Sequence, residues 1–126
     1  MDCIEHPRGY GLFKSLRYHA IIAQELRKRP EAVLAQARAV MDRWGWLSPE
    51  HEAYQAKYAH QWRLALDRGP EHVAELIERP LGDEQADWMR SCTPLIGILN
   101  RPTIRDLQHQ WRREYQALRG NSVHAP

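Results

Sequence analysis

The chain has 126 residues, 27% charged and 43% hydrophobic, with a formal net charge of +2. That length suffices for one core burying about two-thirds of the unfolded surface, and so small a net charge does not by itself argue for a nucleic-acid partner. Cys3 and Cys92 stand in neither metal-ligand nor redox spacing and form no disulfide framework, which points to a reducing, cytoplasmic setting. No apolar run approaches the ~20 residues of a membrane helix.

The charge is unevenly spread. Residues 1–29 hold six Lys/Arg against three Asp/Glu, residues 30–89 six against eleven, and residues 90–126 six against two. Two basic ends flank an acidic middle, and the simplest expectation is that they neutralise one another within one fold.

In chain order, 3.6-residue periodicity and proline punctuation predict helices near 12–28, 31–45, 49–67, 71–79, 83–92 and 103–118. Pro30, Pro49, Pro70 and Pro102 sit where a first helical residue belongs, because proline lacks only an N–H that has no partner there. Ser48 and Asp83 are suited to N-caps, and Thr103 with Asp106 resembles a capping box. No strand-like alternation interrupts the series. The fold class is therefore all-α, a compact bundle of five or six short helices in a single domain over 1–126. Its ordered part is expected over about 10–119, with loose ends at 1–9 and 120–126.

The first helix carries Leu12, Leu16, Ala23 and Leu26 on one stripe with His19 at its centre, whereas Ile21 falls on the opposite side among Lys14, Arg17 and Lys28. A helix apolar on several sides is either central or offers a face to a partner, and Arg17, Tyr18 and Ile21 are the candidates for that face. Tyr54, Tyr58, Trp62 and Leu66 make an aromatic core stripe on the third helix. The last helix places Ile104, Leu107, Trp111, Tyr115 and Leu118 in a narrow sector ringed by Arg101, Arg105, Arg112, Arg113 and Arg119. Packing with arginine stems along the rim is the plain reading of such a helix, and Arg105, Arg112 and Arg113 are its candidate partner contacts.

Before that helix, polarity vanishes from Leu95 to Leu99, with Pro94 in front and Gly97 in the middle. This stretch is expected to be a structural plug: Leu95, Ile98 and Leu99 buried, Gly97 in a turn or close backbone contact, and the preceding helix stopped ahead of Pro94.

Catalytic chemistry is sparse. Seven histidines include no zinc spacing, and His51 and His60 lie about 90° apart on their helix. His19 on an apolar stripe reads as a satisfied core histidine before a functional one. Arg68/His72 and Arg105/His109 have three intervening residues, one short of the Arg-x(4–6)-His pattern of small helical ribonucleases. No glycine-rich phosphate loop and no nucleophile with an evident base is present. Neither an enzyme nor a cofactor or metal site is expected.

Ser15-Leu16-Arg17-Tyr18-His19, Met41-Asp42-Arg43-Trp44, Gln61-Trp62, Gly69-Pro70 leading to Leu76, and Arg90 through Leu99 follow one another in a characteristic order. In that order they resemble a family of small bacterial helical proteins associated with toxin–antitoxin-type gene pairs, over about residues 12–118. The chain departs from the family pattern at Pro94-Leu95-Ile96, where an aromatic residue is usual. The resemblance implies a non-enzymatic antitoxin or accessory subunit that covers the active site of a cognate toxin. The alternatives are a DNA-associated regulator reading through the basic last helix, and a small helical nuclease or toxin. Against the regulator, the only short inter-helix joint, Arg79 to Gly82, leads into an acidic helix.

Overall fold

A computed structural model describes residues 8–47 and 53–124. It shows six helices in the order α1 (Arg8–Lys28), α2 (Pro30–Arg43), α3 (Ala53–Asp67), α4 (Pro70–Ile77), α5 (Glu84–Ser91) and α6 (Arg101–His124), with no strand among the described residues. The fold is an all-α bundle. No described helix is long and apolar enough to cross a membrane. Cys3, the Ser48 cap and Pro49 lie outside the described residues.

Local chemistry accounts for most boundaries. Pro30 and Pro70 open α2 and α4 as first residues, and the Asp83 side chain caps α5 by accepting from the Ala86 N–H at 2.9 Å. At the start of α6 the cap is Asn100, whose Oδ1 accepts from the Thr103 N–H at 2.9 Å, so the Thr103/Asp106 box is not the device used. An amide oxygen one residue ahead of the helix satisfies the orphan donor first. Helix α2 ends two residues earlier than its periodicity suggests. Gly45 adopts φ +75°, its N–H reaches the Asp42 carbonyl at 3.0 Å, and the Trp46 N–H reaches the Met41 carbonyl at 2.7 Å. This is a Schellman motif, and it folds Trp46 back into the core beside Met41. Helix α6 runs to His124, past the end expected near 118, because a single Gly120 costs only about 1 kcal/mol within a helix.

Helix α1 is the hub. It packs against α4 along much of its length and also meets α2, α5 and α6. That explains why its apolar residues stray from one stripe: Ile22, Ala23, Leu26 and His19 are buried, and Tyr18 and Ile21 are half-buried. One continuous cluster of buried residues joins α1 to α5 and takes in Trp46 and Leu95. The Trp62 side chain is fully enclosed and its Nε1–H donates to the Met89 carbonyl at 3.2 Å, which satisfies the one polar atom of the largest buried residue. On the same helix Tyr58 is half-buried and Leu66 buried.

The connection from α5 to α6 is sewn to α1 rather than simply inserted. The Tyr18 hydroxyl donates to the Leu95 carbonyl at 2.6 Å, and the Thr93 hydroxyl oxygen accepts from the Leu95 N–H at 3.0 Å. Pro94 and Leu95 are buried, but Ile98 and Leu99 are only half-buried against the core and Ile96 is exposed, so the plug is one leucine deep, not three. Gly97 takes φ +74°, and a Cβ there would stand 3.1 Å from Gln36 Nε2. The positive φ turns the chain away from the core after Leu95, which is why the two later aliphatics stay near the surface. Leu95→Ala should therefore cost about 2–5 kcal/mol in urea unfolding, the range for deleting a buried leucine, and Leu99→Ala about half as much.

Candidate functional site

Two features on neighbouring parts of α1 carry chemistry, and both are framed by α6. The first is a basic and aromatic seam. Helix α6 makes its main contact with α1. Tyr115 packs against Tyr10 and Phe13 at ring-centroid distances of 5.3 and 5.4 Å. Cations cover the rings: Arg112 lies 5.1 Å and Lys14 5.7 Å from the Tyr10 centroid, and Arg17 lies 5.1 Å from that of Phe13. Arg17 also pairs with Glu114 at 3.4 Å. Such cation–ring contacts hold the cations over the aromatic faces at about 0.5–1 kcal/mol each in exposed positions.

The candidate partner residues do not all meet here. Arg17 and Arg112 sit on the seam, and Arg105 and Arg113 are exposed on α6 with no partner among the described residues. Tyr18 is half-buried, with its hydroxyl donating to the Leu95 carbonyl and its pKa pushed up to about 12 by burial. Ile21 is half-buried, as the hub position of α1 demands. Along the apolar stripe of α6, Trp111 is buried and Ile104, Leu107 and Tyr115 are half-buried, whereas Leu118 is 55% exposed beyond the end of the contact.

The second feature is buried beneath the seam. His19 is 1% exposed, and its Nδ1 lies 2.7 Å from the Ser15 carbonyl. A carbonyl only accepts, so Nδ1 carries the proton and Nε2 is left as an acceptor. Nε2 is buried and has no hydrogen-bond partner. Burial, and secondarily the charge of Arg90, push the His19 pKa down to about 4, so the ring is neutral at pH 7. The imidazole forms part of the wall of a cavity of about 300 Å³ between α1, the α5–α6 connection and α6.

Arg90, on α5, shares that cavity and is 4% exposed. Its guanidinium donates to the Ile77 carbonyl at 2.9 Å, the Arg79 carbonyl at 2.8 Å and Asp87 Oδ1 at 2.8 Å. The other Asp87 oxygen accepts from the Gly82 N–H at 2.9 Å. Sequence patterning did not single out Arg90, because an arginine on a short polar helix looks like any surface cation. Among the described residues no three His, Cys, Asp or Glu side chains gather as a metal site. Cys92 is half-buried with its thiol pKa raised by burial.

Two measurements check this arrangement. Arg90→Ala should cost about 3–5 kcal/mol of unfolding free energy, because it strands Asp87 and two helix-end carbonyls in the interior. For His19, the unfolded chain takes up a proton near pH 6.5 while the folded chain resists until about pH 4. Stability should thus fall on acidification through that window, by roughly 3 kcal/mol at 1.36 kcal/mol per pH unit. The charged groups sharing the cavity, Arg90 and Lys14, are both cations, and α6 contributes only uncharged side chains there. In His19→Gln the pH dependence between 6.5 and 4 should flatten relative to the parent protein in urea titrations at each pH.

No protein-family model matches the chain, and neither a curated protein sequence nor a solved structure is significantly similar to it.

Proposed function

We propose that this protein is a non-enzymatic binding module that engages an acidic partner protein through the exposed side of α6 and its seam with α1. The observation that carries the reading is the charge left over once the fold is complete. On α6 only Asp106 and Glu114 are acidic, and Glu114 is already held by Arg17. Arg101, Arg105 and Arg113 are exposed with no partner among the described residues, and Leu118 is exposed further along the same helix. Cations left over on an exposed helix suit the charged rim of a protein interface, which steers an oppositely charged partner. A cognate toxin with an acidic active-site surround is the partner implied by the resemblance to toxin–antitoxin-type pairs, and steric cover of that site is the mechanism proposed.

Nucleic acid is the weaker candidate on magnitude. Specific duplex binding commonly uses about 6–10 phosphate contacts, and the seam already engages Arg112, Arg17 and Lys14 on aromatic rings. The joint between α4 and α5 leads into Glu84 and Asp87, which repel phosphate.

Co-expression with the product of the adjacent gene should yield a complex that survives size-exclusion chromatography. Arg105→Glu with Arg113→Glu should weaken it at least tenfold and abolish its salt dependence, while leaving thermal stability within a few degrees. Should that double variant bind as tightly as the parent, or should duplex DNA bind at physiological salt and lose affinity in the variant, the proposal is wrong.

A further inference from the structure

Building on the reading of α6 as the partner-binding element, we propose that α6 leaves its seat on α1 when the partner binds. Its inward apolar stripe, Ile104, Leu107, Trp111, Tyr115 and Leu118, is then received as a helix in an acid-rimmed groove of that partner protein.

The seat is shallow. The continuous buried cluster takes residues from α1 to α5 together with Trp46 and Leu95, and none from α6. Trp111 alone is buried among the described side chains of α6, while Ile104, Leu107 and Tyr115 are half-buried. An open cleft of about 300 Å³ lies between the start of α6 and Ser15, Tyr18 and His19. The polar ties across the seam are long: Arg17 meets Glu114 at 3.4 Å, and the Tyr10 hydroxyl meets the Gln108 carbonyl at 3.5 Å. Between α1 and the end of α4, by contrast, both terminal nitrogens of Arg27 reach Glu78 at 2.8 Å. The stripe is also longer than its seat, because Leu118 continues it and is 55% exposed. Its five members fall at i, i+3, i+7, i+11 and i+14, the kind of spacing by which an amphipathic helix anchors in a groove.

The chain before α6 allows the helix to move as a unit. Leu95 is buried and held by the Tyr18 hydroxyl, whereas no helix or strand constrains residues 96–100 and Gly97 holds φ +74°. A hinge needs such a short stretch to absorb the backbone change. Asn100 caps α6 through the Thr103 N–H, so the helix carries its own cap with it. Charge sets the partner's chemistry. Arg101, Arg105 and Arg113 are exposed with no partner among the described residues, and they call for an acidic rim around the groove.

Hydrogen exchange of the protein alone, followed by mass spectrometry, reads the release without any partner. Amides of residues 105–118 should exchange through an opening that spares α3 and α4, with protection at least about tenfold lower. Phe13→Ala weakens the seat from the α1 side and leaves α6 unaltered, since Phe13 touches Tyr115 from outside the buried cluster. It should speed that exchange further and tighten the complex with the adjacent-gene product about threefold or more, because the binding-competent state becomes more populated. Leu118→Asp, on a side chain already in solvent, should keep the melting temperature and weaken the complex about tenfold. Exchange of α6 only together with α3 and α4, unchanged or weaker binding by Phe13→Ala, or full binding by Leu118→Asp would each overturn the release. So would uptake of the helix by phosphatidylglycerol vesicles in place of the protein partner, which assigns the stripe to a lipid surface. If Arg105→Glu with Arg113→Glu weakens the complex and Phe13→Ala weakens it too, the partner binds α6 in its seat. The outer-face reading then stands and the release alone falls.

Discussion

The interior guanidinium of Arg90 is the constraint on which the rest of the arrangement depends. Removing an arginine from water costs several kcal/mol unless acceptors meet its donors, and three of the five N–H groups of Arg90 are met. Here α4 and the turn after it supply two of the acceptors. Its chain ends with the Ile77 and Arg79 carbonyls pointing where a continuing helix would have used them, and these receive the charge. A cation at a helix C-terminus also complements the helix dipole. Asp87 then holds Arg90 from one oxygen and the Gly82 N–H from the other, so a single carboxylate fixes both the buried cation and the turn between α4 and α5. Once that turn is fixed, α5 can present Met89 to Trp62, and α4 can lie along α1.

A hierarchy follows. Helices α1 to α5 share the buried cluster, whereas α6 reaches the bundle chiefly through α1 and through the connection that precedes it. The link at Tyr18 to Leu95 anchors that connection at a buried point, and beyond Gly97 the chain is only half-covered. The docking of α6 is thus made of tilted ring pairs, cations on two of those rings and one buried tryptophan, and it leaves a cleft beside His19. Elements with few buried apolar contacts form the low-stability end of a fold, where binding surfaces are drawn from. The seam and the cavity therefore share one cause.

Much of the fold was legible because proline and aspartate act locally. Pro30, Pro70 and Asp83 open their helices as their chemistry dictates. The apolar residues scattered around α1 left a central helix or a partner face open, and the helix is central. The misread features were those set by tertiary contact or by glycine backbone. Gly45 was a readable stop signal that periodicity masked. Leu95 separated from Ile98 and Leu99 because Gly97 takes a left-handed conformation, and hydrophobicity alone ranks all three alike. The site was harder still. His19 stood out in the sequence, but its orphaned Nε2 depends on the α1 backbone capturing Nδ1, and Arg90 gains its meaning only from carbonyls 11 and 13 residues earlier in the chain.

The electrostatics show where stability ends as an explanation. Neutralisation of basic ends by an acidic middle holds for α1, where Arg27 grips Glu78 with both terminal nitrogens at 2.8 Å and reaches Glu71 at 3.2 Å, keeping the Glu78 carboxyl below its ordinary pKa. It does not extend to Arg101, Arg105 and Arg113 of α6, which are exposed with no partner among the described residues, while the α6 acid Glu114 pairs with Arg17 of α1. Arg101 and Arg105 are spaced i,i+4, a like-charge pair that costs an isolated helix about 0.2–0.5 kcal/mol. Exposed ion pairs contribute about 0–1 kcal/mol even when formed, so pairing these arginines within the fold would have gained little and leaving them unpaired costs little. Their field is the larger effect. Same-sign charges on one helix face raise the encounter rate with an oppositely charged surface and vanish from the reckoning as salt rises. A face of this kind adds little to its own fold, whereas the hydrogen bonds of Arg90 fix the turn on which the bundle is built.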